Sequence, residues 1–518
     1  MPILKPMKGG VSKQQLPRNL VGNLAYFIVN LMIGLLLVPY FVSTLGVAAY
    51  GIIPLATSLN GYVGLFTQSL NTAVARFLTV DLQQENYDSA NKTFNTAFFG
   101  VSGIILAMVP VVLLISVFAP TIFDVPSGQE SGAIFLFLGV NGAFLLRSWS
   151  GNFTVSLFAY NRLDLLNLVN IVNVVIQVLL IILFFSIAQP SLTLIGLAYL
   201  IGGVTASILA IVLSRRINPH LKVRLSDFTP SRLRELTGMG GWVVVNQIGS
   251  LLYRNIDLIV VNMFFGALAG GEYAIALQWV ILLRAIAHTL AAVNTPIILS
   301  YYARDKIKPL IKVSKSAVKL MGLLMALPIG LVCGFAPSLL GIWIGEEYSF
   351  LALLMVVLTG HLTVNLAVLP LFSINVAYNR VKIPGILTLI MGAGNLLLAI
   401  ALSVYTGWGY FGVAVAAAIT LTLKNALFTP WYATRILKIP ANTFTNSMLP
   451  GIIATVAIAG IAAVLNMTFQ VTTLPGLIIA GGMIGIAYLA ALWPFSLDEF
   501  ERALFLSYLP KKIRRNVK

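Results

Sequence analysis

The chain has 518 residues, of which 58% are hydrophobic and only 9% are charged. Soluble domains average about 45–50% apolar and about 25% charged residues, so the composition excludes a soluble globular protein and indicates a polytopic membrane protein. The single cysteine, Cys333, excludes an intramolecular disulfide and a cysteine-rich metal site. The net charge of +17 does not indicate nucleic-acid binding, because the basic residues are scattered over short segments between apolar runs.

Fourteen apolar segments are long enough to cross a bilayer at about 20 residues per helix. They predict helices at 18–44, 50–75, 94–120, 131–158, 165–187, 191–213, 238–264, 271–300, 317–342, 349–376, 383–404, 410–433, 449–466 and 473–493. The predicted fold class is therefore an all-α polytopic membrane protein with about 14 transmembrane helices. The basic N-terminus precedes an apolar run that is too long for the h-region of a signal peptide, so we expect the first helix to be retained.

The basic residues predict the orientation of these helices. All but four of the 33 basic residues fall in segments on the same side as the N-terminus. The connecting segments on the other side carry only acids, namely Asp124, Glu130, Glu272, Glu346 and Glu347. Because positively charged segments stay in the cytoplasm, we expect both termini of this multi-pass chain to be cytoplasmic.

Short motifs recur in the two halves of the chain with nearly constant spacing. Phe118-Ala119-Pro120 returns as Phe335-Ala336-Pro337, and Ala159-Tyr160-Asn161-Arg162 returns as Ala377-Tyr378-Asn379-Arg380. Asn71-Thr72 and Asn294-Thr295 follow in the same order, as do the segments that begin at Gly196 and Gly412. Two six-helix copies in parallel topology are typical of transporters.

The repeat predicts the domain organisation. The N-terminal lobe covers 1–213 with six helices, and a basic cytoplasmic linker follows at 214–237. The C-terminal lobe covers 238–434, and 435–518 holds two further helices and a basic cytoplasmic tail.

Four cations lie in the interior of predicted helices and have no charged counterpart in the other half: Arg147, Arg254, Arg284 and Lys424. A charge at such depth costs roughly 2.5–3.5 kcal/mol on insertion scales, and topology does not require these four. We expect them to line a water-filled cavity and to bind an anionic substrate, because guanidinium groups match phosphate oxygens.

Other polar residues within the predicted helices each have two possible roles. Asp257 lies three residues after Arg254, so it is expected to act as a structural partner of that arginine or in ion coupling. His288, one turn after Arg284, is assigned the same two alternatives. Amides within helices contact either sugar hydroxyls or neighbouring helices; they are Asn246, Gln247, Gln278 and Asn365.

The run from Asn23-Leu24 through Gly46 to Tyr50-Gly51 adds to these features. With them, the whole chain resembles the polysaccharide-biosynthesis (Wzx-type) flippases, which belong to the multidrug/oligosaccharidyl-lipid/polysaccharide exporter superfamily. The resemblance implies translocation of a polyprenyl-diphosphate-linked oligosaccharide for O-antigen or exopolysaccharide assembly by alternating access. It also implies a location in the cell (inner) membrane and no cofactor. The partners that it implies are a lipid-linked glycan, the bilayer, and a polysaccharide polymerase with its assembly machinery.

Three other functions are alternatives to a polysaccharide flippase. Lipid II flippases of the MurJ type share the topology and a basic lumen, so this alternative stays open. A multidrug or organic-ion antiporter on the same scaffold would require lumenal acids, and Asp257 is the one acid in the interior of a predicted helix. An enzyme is not expected and no catalytic residue is assigned, because the sequence has no DxD motif, no paired intramembrane carboxylates and no large outer loop.

Overall fold

The computed structural model describes residues 15–253 and 255–502. Within these ranges, the side chains of Leu16, Phe66, Gln68, Ser69, Thr72, Gln83, residues 237–243 and Phe495 are not described. Every regular element of the described chain is helical, as the composition predicted. The α-helices are α1 (Gln15–Leu45), α2 (Val47–Gln83), α3 (Tyr87–Val117), α4 (Ala119–Ile122), α5 (Glu130–Ala159), α6 (Leu163–Ile187), α7 (Leu192–Ile217), α8 (Pro230–Leu252), α9 (Ile256–Ala292), α10 (Asn294–Ala303), α11 (Ile307–Gly334), α12 (Ala336–Trp343), α13 (Ala352–Gly360), α14 (Leu362–Ala367), α15 (Phe372–Ala377), α16 (Lys382–Ile400), α17 (Tyr410–Thr422), α18 (Thr429–Leu437), α19 (Thr443–Phe469) and α20 (Leu474–Phe495).

Twelve helical segments of the described chain are long and apolar enough to cross a membrane. One of them, Val244–Ala303, has 60 residues and covers most of the predicted helix at 238–264 and all of the one at 271–300. The predicted helix at 50–75 lies in α2, which has 37 residues and is not among the twelve. The many apolar helices confirm a polytopic membrane protein, and the count of fourteen stays a prediction.

Glycine permits a sharp change of direction inside α9. Gly266 has φ 89° and ψ 175° in the middle of that helix. Gly46, between α1 and α2, has nearly the same conformation with φ 82° and ψ 162°. Such positive φ angles are accessible to glycine at little cost but are strained for other residues. The α9 segment is therefore two helices that meet at Gly266.

Two of the four recurring sequence motifs adopt the same local structure in both halves. Phe118 and Phe335 each separate a long helix from a short one, with φ near −90° and ψ of 1° and 16°. Asn161 and Asn379 each follow a helix and have left-handed conformations, with φ of 54° and 51°. Asparagine tolerates this conformation better than most residues. The motif pairs are thus matched turns, which is why they stand out in the sequence.

The chain divides into two compact units by its contacts. The first unit comprises Met1–Ala274 and Gly385–Val413, and the second comprises Ile275–Pro384 and Ala414–Lys518. Both use small residues for close helix packing. A Cβ atom on Gly139 of α5 would lie 2.1 Å from the Gly196 oxygen of α7, and one on Gly451 of α19 would lie 2.7 Å from Gly322 of α11.

Side-chain amides hold the segment between α7 and α8, which belongs to the first unit. Asn91 Nδ2 donates to His220 O at 3.0 Å, and Asn91 Oδ1 accepts from Lys222 N at 2.9 Å. One turn later, Asn95 Nδ2 donates to Lys222 O and Asn95 Oδ1 accepts from Arg224 N, both at 2.8 Å. Two asparagines on α3 thus satisfy backbone N–H and C=O groups of this extended segment, as a neighbouring strand would do in a sheet. The helices α7 and α8 extend into the predicted linker, so the part outside α-helices is 218–229, which contains a 3₁₀ turn at Leu225–Asp227.

Candidate functional site

Arg147 lies near the middle of α5 beside a cavity of about 120 Å³, here called the Arg147 pocket. Its Nη2 atom donates a hydrogen bond of 2.7 Å to Asn170 Oδ1 on α6. Asn170 is neutral, so this bond fixes the guanidinium group without cancelling its charge. The rest of the pocket is lined by Ser150, Thr154, Leu166, Val169 and Ala206. The arrangement presents an oriented cation inside a membrane helix bundle.

The first unit also contains a cavity of about 770 Å³, here called the chamber. Thr154 and Leu166 line both the chamber and the Arg147 pocket, so the two cavities adjoin. One part of the chamber wall is polar and contains Asn71, Arg76, Thr79, Thr154 and Gln247. The other part is apolar and contains Ala75, Val80, Val155, Phe158 and Leu166. A volume of this size lies within the range of about 300–1,000 Å³ that is usual for ligand sites.

Arg76 was not singled out by the sequence analysis. It follows the predicted helix at 50–75 and was therefore assigned to a cytoplasmic segment. In the structure α2 continues to Gln83, so Arg76 is a helical residue, and its side chain lines the chamber. Residues 76–83 contain no glycine or proline, which was the available signal that the helix continues.

Polar residues form a connected cluster in the second unit, here called the amide cluster and made of His361, Asn365, Thr422 and Asn425. Asn425 Nδ2 donates to Asn365 Oδ1 at 2.8 Å. Asn365 Nδ2 lies 2.7 Å from His361 Nδ1 and donates to Thr422 Oγ1 at 3.5 Å. Asn365 and Asn425 are only 5% and 6% exposed. Among apolar helices, such bonds are the usual way to satisfy buried amides.

Arg284 and Lys424 both lie near the amide cluster. Arg284 is half-buried on α9 and lies close enough to His361 for an electrostatic interaction. Lys424 precedes Asn425 and is 6% exposed, with Nζ 5.7 Å from the centre of the Phe372 ring. That distance is within range of a cation–π contact. Two of the four predicted cations therefore belong to one polar region of the second unit.

Irregular helices produce this region. Residues Leu423–Phe428 form a π-helical turn between α17 and α18. Single π-turns often occur at functional sites because they redirect side chains. The neighbouring segment is also broken, into α13, α14, a 3₁₀ turn at Leu369–Leu371 and α15. Irregular backbone at membrane depth is tolerated where protein or a water-filled cavity surrounds it.

Asp257 is held by neutral groups in the first unit. It is 4% exposed, and its Oδ1 accepts from Asn395 Nδ2 at 3.2 Å. Its Oδ2 accepts from the Tyr273 hydroxyl group at 3.4 Å. Arg254, the predicted partner of Asp257, lies outside the described residues. The two observed bonds support a structural part for this carboxylate, and ion coupling stays a prediction.

The remaining predicted residues are dispersed. His288 is exposed on α9, one turn after Arg284. Of the predicted sugar-contacting amides, Gln247 lines the chamber and Asn365 lies in the amide cluster, whereas Asn246 is exposed and Gln278 is half-buried. In the described part of the chain, no group of three or more His, Cys, Asp or Glu residues could hold a metal ion.

Comparisons with known proteins identify the family. The family model described as polysaccharide biosynthesis protein matches residues 18–302. The chain is 33% identical over 494 residues to the "Uncharacterized membrane protein EpsK" of Bacillus subtilis (strain 168), an alignment that covers 95% of this chain and 98% of that protein. It is 25% identical over 440 residues to the "Putative O-antigen transporter" of Shigella flexneri, covering 82% of this chain and 99% of that protein.

Solved structures with a similar fold include a lipid II flippase and multidrug resistance transporters. The lipid II flippase MurJ in an inward closed conformation has a TM-score of 0.64 at 16% identity, covering 92% of this chain and 98% of that one. An inward-facing multidrug resistance transporter of the MATE family has a TM-score of 0.56 at 16% identity, covering 89% and 98%. At this identity the likeness concerns the fold alone. With the family match and the 33% identical relative, the chain belongs to the polysaccharide biosynthesis protein family, the Wzx-type branch of the exporter superfamily that its sequence resembles.

Proposed function

We propose that this membrane protein flips a polyprenyl-diphosphate-linked oligosaccharide across the cytoplasmic membrane for cell-surface polysaccharide assembly. Membership of the polysaccharide biosynthesis family supports a transporter rather than an enzyme, and one relative is named as an O-antigen transporter. The cargo would then pass to a polymerase and assembly machinery on the other side.

The observation that carries the proposal is the state of Arg147. Burying a cation in a membrane bundle costs several kcal/mol unless a partner compensates for it, so such residues usually mark functional sites. The hydrogen bond from this guanidinium group goes to a neutral amide, and the group borders a cavity. A charge that is fixed but not neutralised by any described residue suits a ligand that supplies negative charge, such as a diphosphate.

The other predicted cations have related roles in the proposal. Arg76 adds a second guanidinium group at the wall of the adjoining chamber. Arg284 and Lys424 supply positive charge beside the amide cluster in the second unit. Arg254 is proposed as a further diphosphate contact on the sequence pattern alone. The polyprenyl tail stays in the lipid while the head group binds, and alternating access then exposes it to the other side.

A lipid II-type cargo is the second candidate. The fold is similar to that of a lipid II flippase, and such a cargo would present the same diphosphate chemistry to Arg147. A cationic drug is a poorer fit, because Asp257 is buried and bonded to Asn395 and Tyr273. The two lipid cargoes differ in their glycan, so a comparison of glycans separates these candidates.

The test compares alanine variants of the cations in cells that depend on this protein for surface polysaccharide. We expect Arg147→Ala and Arg284→Ala to abolish surface polysaccharide while the level of folded protein in the membrane stays normal. Lys92→Ala is the matched control, because Lys92 is an exposed lysine on α3 that does not line the chamber. Normal transport by the Arg254/Arg284 double alanine variant, or by Arg147→Ala, would contradict the proposed role of these charges.

A further inference from the structure

The chamber contains a buried hydrogen-bond acceptor with no partner among the described residues. Asn71 Oδ1 is shielded from solvent and receives no hydrogen bond. The side chain lies close against α5, because a Cβ atom on Gly151 would be only 3.2 Å from Asn71 Nδ2. An unsatisfied buried carbonyl oxygen is costly and is rare in native structures. Its position at a cavity wall suggests that a ligand satisfies it.

The missing partner must be a hydrogen-bond donor. An amide oxygen accepts hydrogen bonds, and an ionised phosphate carries only acceptor oxygens at its surface. A diphosphate therefore cannot satisfy Asn71 Oδ1. A hydroxyl group can, since it both donates and accepts. Asn71 thus distinguishes a sugar from the diphosphate to which the sugar is attached.

The rest of the chamber wall has the mixed character that a pyranose ring requires. Gln247 and Thr154 offer polar groups for further hydroxyl groups. Val155, Leu166 and the half-exposed ring of Phe158 offer an apolar surface to the C–H face of a sugar. Because the chamber adjoins the Arg147 pocket through Thr154 and Leu166, a sugar here would directly follow a diphosphate held by Arg147.

From these observations we propose that the chamber is a subsite for the diphosphate-proximal sugar of a lipid-linked glycan, with Asn71 and Gln247 as its hydroxyl-binding residues. This inference rests on the proposed function, because it takes the diphosphate to be bound at Arg147. It assigns recognition of the glycan to α2 and α8 and recognition of the diphosphate to the junction of α5 and α6.

The experiment measures the binding of two defined ligands to the full-length protein in detergent by isothermal titration calorimetry. The ligands are farnesyl diphosphate and the same molecule carrying one hexose. We expect the hexose to increase the affinity of the unaltered protein. In Asn71→Leu, a nearly isosteric change, that gain should fall roughly 2- to 10-fold, the effect of losing about one hydrogen bond. The affinity for bare farnesyl diphosphate should not change.

A matched control and a second variant accompany this measurement. Asn141 on α5 is another buried asparagine whose Oδ1 has no partner, and it does not line the chamber. Asn141→Leu should therefore leave the gain from the hexose unchanged. Gln247→Leu should reduce the gain as Asn71→Leu does, which covers the case in which Asn71→Leu does not fold.

The outcomes separate this subsite from the proposed function. If both folded chamber variants keep the full gain from the hexose, or lose affinity for both ligands equally, the sugar subsite is refuted while diphosphate binding stands. If farnesol displaces the glycosylated ligand as well as farnesyl diphosphate does, the diphosphate contributes nothing to binding, so the proposed function fails and the subsite fails with it. If bare farnesyl diphosphate does not bind the unaltered protein, the proposed function fails and the subsite fails with it.

Discussion

Replacing Asn170 with aspartate tests whether transport needs the positive charge of Arg147 or only its packing. The two side chains are joined by a bond of 2.7 Å, so Asn170→Asp would place a carboxylate at ion-pair distance with little change in shape. Two unit charges about 4 Å apart attract by about 4 kcal/mol at an effective dielectric constant of about 20. Desolvation of the pair offsets part of this attraction.

A residual attraction of about 2 kcal/mol is enough to change function strongly. The new carboxylate would compete with the anionic ligand for Arg147, and about 2 kcal/mol corresponds to a roughly 30-fold loss of affinity. We therefore expect Asn170→Asp to reduce translocation by at least an order of magnitude while the protein folds normally. The assay follows the movement of a fluorescent prenyl-diphosphate-linked sugar across proteoliposome membranes.

Two variants complete this test. Asn173→Asp introduces the same carboxylate one turn further along α6, at a buried residue that does not line the Arg147 pocket, and it controls for the cost of burying a charge. Exchanging the two side chains, Arg147→Asn with Asn170→Arg, returns a guanidinium group to the pocket and should restore part of the activity. If Asn170→Asp transports at the normal rate, the charge of Arg147 is not used and the reasoning is wrong.

Two further predictions concern stability and orientation. Asn95→Ala removes the bonds to Lys222 O and Arg224 N, so the free energy of unfolding should fall by about 1–3 kcal/mol. Thermal unfolding in detergent would show it, and Lys222→Ala, which keeps the backbone bonds, should not reproduce the loss. In a Cys333→Ser background, Lys5→Cys should react with membrane-impermeant thiol reagents only from the cytoplasmic side, and Glu347→Cys should react only from outside. The reverse pattern would contradict the predicted orientation.

Features that depend on local sequence could be predicted well. The long apolar runs identified the membrane helices, because each run must satisfy its own backbone in lipid. The motif pair around Asn161 and Asn379 indicated a repeat, and both residues adopt the same left-handed conformation that asparagine tolerates. The intramembrane cations stood out because charges are rare and costly in such helices.

Features that depend on tertiary packing could not be predicted. Asn170 attracted no attention in the sequence, because an asparagine in a helix gives no sign that it will meet Arg147 on another helix. The position of Arg76 depends on how far α2 continues beyond its apolar run. Pro370 is a local signal for the break at Leu369–Leu371, whereas Leu423–Phe428 contain no glycine or proline that would indicate the π-helical turn that carries Lys424.

The measurement that tests the central claim most directly is translocation by the purified protein in proteoliposomes with three cargoes. The cargoes are a polyprenyl-diphosphate-linked oligosaccharide, the same glycan on a neutral polyprenyl carrier, and a cationic dye. The account predicts that only the diphosphate-linked glycan moves and that Arg147→Ala stops it. Movement of the neutral conjugate at a similar rate, or movement of the dye without the diphosphate-linked glycan, would contradict it.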